Sequence, residues 1–509
     1  MKKSITDTLS THLADNAQLL SQLLGNSTDL IIKELQPDAS TRINVVYIDG
    51  LVHTQVLHQS ILYSLQDRFV MERLKGLEAD QKLELLYNQI LIAGDLSIIR
   101  SSKQFVRALM SGSVMIMVDG TATALRVGLP GWEDRDVGES TSQTVVRGPM
   151  EGFTENIRTN TALVRRKIKD TRLWLETFEI GKVTQTSVSI MYLNSVVKPE
   201  LVEEVKQRLG RIDTDSILES GYIEEFIQDK TLTPFPTIYN TDRPDTIAAG
   251  ILEGKVAILV DGTPFVLLVP TFFPAFFQSA EDYYQRADIS TLLRFIRFLA
   301  FFITLLAPSF YVAITTYHQE MIPTNLVISL AAQRENVPFP AFVEAVLMEL
   351  TYEILREAGV RIPKNIGQAI SIVGTLVIGQ AAVAAGFISS SMVIIVSITA
   401  IASFVIPEMG MSIAARIIRF ALIGLAGFMG LFGTLFGVFI IVLHLASLQS
   451  FGEPYMSPLG PYRARDIKDS IFRFPWPYQN TRPADSTGKN GRRQGRIGKK
   501  ERQHEPEKP

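Results

Sequence analysis

Few residues in this 509-residue chain have a type and spacing that could do chemistry. No G-x-x-x-x-G-K-[ST] phosphate loop occurs: Gly181-Lys182 and Gly488-Lys489 both lack the partners such a loop needs, and HExxH is absent. Without cysteine there is no thiolate chemistry, no disulfide and no Cys-based zinc site. The six histidines are scattered and form no ligand spacing. His444 lies in an apolar run, where a hydrogen bond across helices accounts for it better than a proton-sensing role. The pattern argues against an enzyme and leaves no cofactor or metal to place.

Three other patterns carry information. Gln368, Ser371, Thr375, Gly379, Ala382 and Gly386 follow one another at helical spacing, forming a narrow polar-to-small stripe along an apolar helix. Such a stripe either lines a water-accessible path, where hydroxyls and amides replace ion hydration, or packs against neighbouring helices. On residue types alone packing is favoured. A second pattern is the basic connector 147–172, with Arg147, Arg158, Arg165, Arg166 and Lys167 around Glu151. It suits lipid headgroups, an acidic surface or a plain solvated helix face. Without interleaved aromatics, nucleic acid is its least suitable partner. Third, Glu349, Glu353 and Glu357 stand at i, i+4 and i+8 beside Arg356, opposite an apolar face of Val343, Val346, Leu347, Leu350 and Ile354. A helix of this kind belongs at an interface, in a water-filled vestibule or against a partner.

The elements that must position these residues fall into two regions. Residues 1–290 carry 29 Lys+Arg and 38 Asp+Glu, whereas residues 291–448 carry only 8 and 7, so a wetted α/β region precedes an α-helical multi-pass membrane region. The start of the chain has no apolar stretch behind its lysines and reads as no secretory signal. A helical arm is expected over 1–40, an α/β subdomain over 41–135 with a helical zone through 82–109, and the basic connector over 136–174. A second α/β subdomain follows over 175–290. The subdomains are related: Gly112, Val114, Val118, Asp119, Gly120 and Thr121 recur as Gly254, Val256, Val260, Asp261, Gly262 and Thr263 at a constant offset. In each, the Asp-Gly pair predicts a tight turn between two strands. The membrane region, 291–452, is expected to span at about 298–317, 366–388, 390–406 and 420–448, with re-entrant or interfacial helices over 321–358. Four is a minimum, and the number of spans stays open. Arginines ahead of the first span place the N-terminal region in the cytoplasm. A cytoplasmic segment (453–483) and a disordered basic tail (484–509) complete the chain.

Ordered motifs across residues 40–483 resemble the A subunit of the GerA-type nutrient germinant receptors of endospore-forming bacteria. They include RGPMEGFTE (147–155), SGYIEE (220–225), RPD (243–245), LEGKVAILVDGTP (252–264), VPFP (337–340) and REAGVRIP (356–363). IGQAISIVG (366–374), IGQAA (378–382), SPLGPYRARDIKDS (457–470) and NTRP (480–483) continue the series. Asp242 stands where the pattern has glutamate. The resemblance implies a protein of the spore inner membrane that works with a transporter-like B subunit and a lipoprotein C subunit. It implies a homo-oligomer forming a nutrient-gated ion channel whose opening releases cations and starts germination. That raises a pore-lining role for the stripe above packing, and makes the connector a candidate subunit contact. A non-conducting scaffold coupling the partner subunits, or a paralogous sporulation membrane protein, are the alternatives.

Overall fold

The computed structural model describes residues 8–38, 41–91, 94–131, 138–140, 142–361, 379–488 and 490–494. The chain forms two compact units, one from Met1–Gln228, Ile238–Pro270 and Asn480–Pro509, the other from Asp229–Thr237 and Thr271–Gln479.

The first unit holds two five-stranded antiparallel sheets of the same topology. In the first half, helix α1 (Leu13–Leu23) leads into strands β1 (Leu30–Asp38) and β2 (Thr41–Ile48), and short helical turns run from Thr54 to Ile90. Strand β3 (Leu96–Ile99), helix α2 (Ser102–Leu109) and strands β4 (Ser113–Val118) and β5 (Ala124–Gly128) complete it. The sheet order is β1-β2-β4-β5-β3. Every residue of β4 is buried because both faces of the sheet are covered. Val45, Ile116 and Leu125 face the turns of 54–90, while Val46, Met115 and Met117 face α1 and α2.

The second half repeats this plan. It runs through helix α3 (Ile157–Lys167), strands β6 (Leu173–Ile180) and β7 (Thr186–Leu193), and helices α4 (Pro199–Gly210) and α5 (Ser220–Ile227). Strand β8 (Tyr239–Thr241), helix α6 (Pro244–Leu252) and strands β9 (Val256–Val260) and β10 (Val266–Val269) follow, in the order β6-β7-β9-β10-β8. Local chemistry explains α4: Pro199 fits the first turn, where no N–H partner is lost, and Leu201, Val202, Val205 and Leu209 form its buried stripe.

The repeat is larger than the strands that reveal it in the sequence. The arm is not a separate element: it supplies α1 and the edge strand β1. The connector likewise contains α3, the counterpart of α1. Buried Asn16 brackets the backbone of Ser10, and buried Asn160 brackets that of Thr154 in the same way. Asp119 accepts the first N–H of α1, and Asp261 accepts that of α3. Within the expected helical zone 82–109, β3 interrupts the helices; a four-residue strand at a sheet edge is too short to show a period of two. Only the glycine of each Asp-Gly pair has positive φ, Gly120 at 94° and Gly262 at 88°. Each pair therefore opens a longer connection rather than forming a two-residue turn.

Part of the expected disordered tail is ordered. Thr487 bridges to Val197, and the Ser486 and Thr487 hydroxyls donate to the carbonyl of Glu253. Thr487 thereby fills the place that Pro130, bridged to Val52, takes in the first half.

The second unit is helical: α7 (Ala287–Tyr317), α8 (Thr324–Arg334), α9 (Ala341–Arg361), α10 (Ser390–Val405) and α11 (Met409–Ser447). Among the described residues, α7 and α11 are long and apolar enough to cross a membrane, with mean hydropathies of 2.0 and 2.3. Helix α11 is not one rod. Gly430 takes φ 60°, ψ −141°, a conformation open essentially to glycine alone. A Cβ on Gly433 would collide with the Leu425 carbonyl, and one on Gly437 with the Leu422 side chain. Along a straight helix those residues would lie about 12 and about 22 Å away. The two arms therefore fold back on one another, with Gly430 at the apex.

Contacts fix the direction of the other helices. At the apex end, the Tyr317 hydroxyl donates to the Gly427 carbonyl (2.8 Å), Phe342 packs on Phe428, and Glu344 accepts from Ser389. At the opposite end, the base, the Ser412 hydroxyl donates to the Ser403 carbonyl and Arg356 lies over Phe404. Helix α7 and the first arm of α11 therefore run towards the apex, while α9, α10 and the second arm run away from it.

Candidate functional site

The connector is organised by the motif residues that follow β8. Buried Arg243 donates to the carbonyls of Gln143 (3.1 Å) and Pro149 (2.8 Å) and pairs with Asp245 at 2.8 Å. Asp242 accepts from the hydroxyls of Ser140 (2.8 Å) and Ser142 (2.6 Å). The five connector candidates then separate. Arg147 is exposed. Arg158 is half exposed and stands 3.6 Å from Asp49. Glu151 pairs with Lys167 and, more loosely, with Arg166 at 3.9 Å. Arg165 is different: it is fully buried, pairs through two nitrogens with Asp29 (Nη2 at 2.8 Å), and donates to the Leu173 carbonyl. It joins the two halves of its own chain and is unavailable as a subunit contact, which corrects the sequence expectation. A charge run does not reveal which of its members turns inward.

Nearby, Glu219 caps α5. Burial alone would push its carboxyl up, but donors from Ser220, Gly221 and Thr263 outweigh this and hold it below the usual range. Thr263 belongs to the repeated Asp-Gly-Thr sequence, so this motif serves local architecture.

Of the stripe, Gln368, Ser371 and Thr375 lie outside the described residues. Gly379 and Ala382 sit in a short helix, Gly379–Ala384, and Gly386 turns the chain at φ 70° beside the carbonyl of Asn336.

Two clusters of three or more charged side chains stand out among the described residues of the helical unit. At the base, Arg294 is fully buried between Asp282 (3.0 Å) and Asp469 (3.0 Å), and Arg297 shares Asp282 at 2.8 Å. This cluster holds the 457–470 motif against the start of α7. The second cluster joins α9 to the first arm of α11. Glu349 and Arg419, both fully buried, meet at 2.7 Å, and Glu353 lies 3.5 Å from Arg419 and 3.2 Å from Arg416. The acidic face of α9 was legible in the sequence. Its arginine partners were not, although two arginines three apart in an apolar run are a signal that they need an acidic partner.

These features define a class of protein: a duplicated α/β-sheet domain combined with an apolar antiparallel helical bundle that carries buried ion pairs. The model of the family described as Bacillus/Clostridium GerA spore germination protein matches residues 18–485, and the chain belongs to that family. It is 47% identical over 490 residues to spore germination protein KA of Bacillus subtilis (strain 168), covering 96% of this chain and 89% of that one. It is 41% identical to the uncharacterized membrane protein YfkQ of the same organism, covering 95% and 93%. A crystal structure of the N-terminal domain of the A subunit of the Bacillus megaterium spore germinant receptor GerK3 is 37% identical, with a TM-score of 0.41, and covers 53% of this chain and 99% of that one.

Proposed function

We propose that this chain, with the role in spore germination its family carries, is the A-type subunit of a nutrient germinant receptor in the spore inner membrane. Its helical unit crosses the bilayer and, as a homo-oligomer, forms a nutrient-gated path for cations. The observation that carries this reading is the arrangement of the bundle. With the span expected over 366–388, its passes number six, and both ends of the unit lie on the base side. Arg286, Arg294, Arg297, Arg356, Arg361, Arg416, Arg463 and Arg465 gather toward that side, while the apex loops have Arg334. This asymmetry favours a cytoplasmic base. A count of four spans would instead leave Arg361, Lys364, Arg416 and Arg419 on the outer side.

In this reading Gln368, Ser371 and Thr375 line the path, continued by Gly379, Ala382 and Gly386. Arg147, Glu151, Arg158 and Arg166 remain available for contacts between subunits. A transporter-like B subunit and a lipoprotein C subunit are the partners. The test is conductance of the purified protein in lipid bilayers with its partner subunits and nutrient. Thr375→Leu abolishes cation flux while assembly persists; flux that survives the substitution removes the stripe from the path. A second reading, a non-conducting scaffold or paralogue, is favoured by the 41% identity to a relative named only as a membrane protein. Absence of conductance under nutrient supports it.

A further inference from the structure

The cluster between α9 and the first arm of α11 has more positive charge than its own carboxylates neutralise. Glu349, Glu353, Arg356, Arg416 and Arg419 leave one positive charge over when both carboxylates are ionised. Arg356, three residues beyond Glu353 on α9, lies over the Phe404 ring at 5.3 Å. Arg419 is midway along its arm, about 15 Å from either end at 1.5 Å per residue.

Hydrogen bonding is as unbalanced as charge. Among the described residues, all three Arg419 nitrogens, Arg416 Nε, Arg356 Nη1 and the Tyr352 hydroxyl find no hydrogen-bond acceptor, against three oxygens without a donor, both of Glu349 and Oε1 of Glu353, so donors outnumber acceptors by two to one. Arg419 is fully buried, so its missing acceptors are not replaced by bulk water. Exposure rises from 0% at Glu349 and Arg419 to 16% at Arg416, 25% at Glu353 and 78% at Arg361. A ligand therefore has an approach from the base. An unneutralised guanidinium in an apolar layer is costly, and donors in excess of acceptors select an acceptor-only ligand.

We propose that this cluster is a binding site for a small monovalent anion, a halide or a carboxylate no larger than acetate, seated against Arg419, Arg416 and Arg356 where the bulkier gluconate does not fit. The site neutralises the surplus charge and braces α9 against α11. It does not depend on whether the bundle conducts.

The experiment is thermal unfolding of the full-length protein in detergent, titrating chloride against gluconate at fixed ionic strength, with acetate as a second series. The wild type shows a saturable rise of the unfolding midpoint with chloride, with acetate, or with both; the series that saturates identifies the source. Arg356→Gln removes the surplus charge and abolishes the response. Glu353→Gln removes a competing carboxylate and lowers the half-saturating anion concentration about tenfold. Superimposable chloride, acetate and gluconate series in the wild type overturn the proposal, as does an undiminished response in Arg356→Gln. Should Arg356→Gln fail to fold, Glu353→Gln decides: tighter anion dependence supports the site, and unchanged or weaker dependence refutes it. Loss of cation flux bears on the channel reading alone.

Discussion

Arg165 and Asp29 are 136 residues apart in the chain, and each is buried almost completely against the other. Their cost and benefit are asymmetric: formation of a buried pair contributes little net stability, whereas removal of one partner leaves an uncompensated charge. Arg165→Ala is therefore expected to destabilise the α/β unit by about 3–5 kcal/mol, measured by chemical denaturation followed through intrinsic fluorescence. Asp29→Leu combined with Arg165→Met, which restores an apolar fit, recovers most of the loss. Arg166→Ala, on the partly exposed side of the same helix, costs no more than about 1 kcal/mol. If Arg165→Ala and Arg166→Ala had equal effects, Arg165 would not be the internal tie that its burial indicates.

At the scale of elements, Gly433 and Gly437 let the two arms of α11 touch, and the consequence is measurable. Gly433→Leu inserts a side chain where even a Cβ meets the Leu425 carbonyl and the Met429 side chain. Overpacking of that order costs about 1–3 kcal/mol. It is expected to lower the thermal midpoint of the full chain in detergent, while Gly424→Leu, whose Cβ position is open, leaves it nearly unchanged. Equal sensitivity at both positions would mean the arms do not fold back. Gly424, Gly427, Gly430, Gly433 and Gly437 form in the sequence a run that permits close helix packing, but the fold-back is not legible there. An apolar stretch with no polar turn residues gives no local sign of reversal, and only the positive φ at Gly430 marks it. The sheets show the same limit. The Asp-Gly-Thr repeat was legible because turn chemistry fixes residue types, whereas α1 and α3 are related through single buried asparagines six residues after a serine or threonine. The acidic face of α9 pointed to an interface, a water-filled vestibule or a partner, yet nothing local to that helix could name Arg416 and Arg419, because the pairing is made by the tertiary fold.

For the whole molecule the decisive quantity is the parity of the passes, since it determines whether the two ends of the helical unit share a side. Six passes place Arg286, before α7, and Tyr462, after α11, on one face, with Glu320 on the other. The natural absence of cysteine makes this directly measurable with single substitutions in an unaltered background. Arg286, Glu320 and Tyr462 are exposed, so Arg286→Cys, Glu320→Cys and Tyr462→Cys should each be reachable by a membrane-impermeant maleimide. In sealed right-side-out vesicles only the Glu320→Cys protein is expected to label; in inverted vesicles the other two label and it does not. An odd number of passes would put Arg286→Cys and Tyr462→Cys on opposite faces. A paired crossing and a dip at Gly430 both return the chain to the side it left, so an odd count would instead mean that one of the other passes does not cross, and the base arginines would then lack a common aqueous side. The two arms are each of about the 17–25 residues that cross a bilayer core, which favours a paired crossing over a dip and six passes over four.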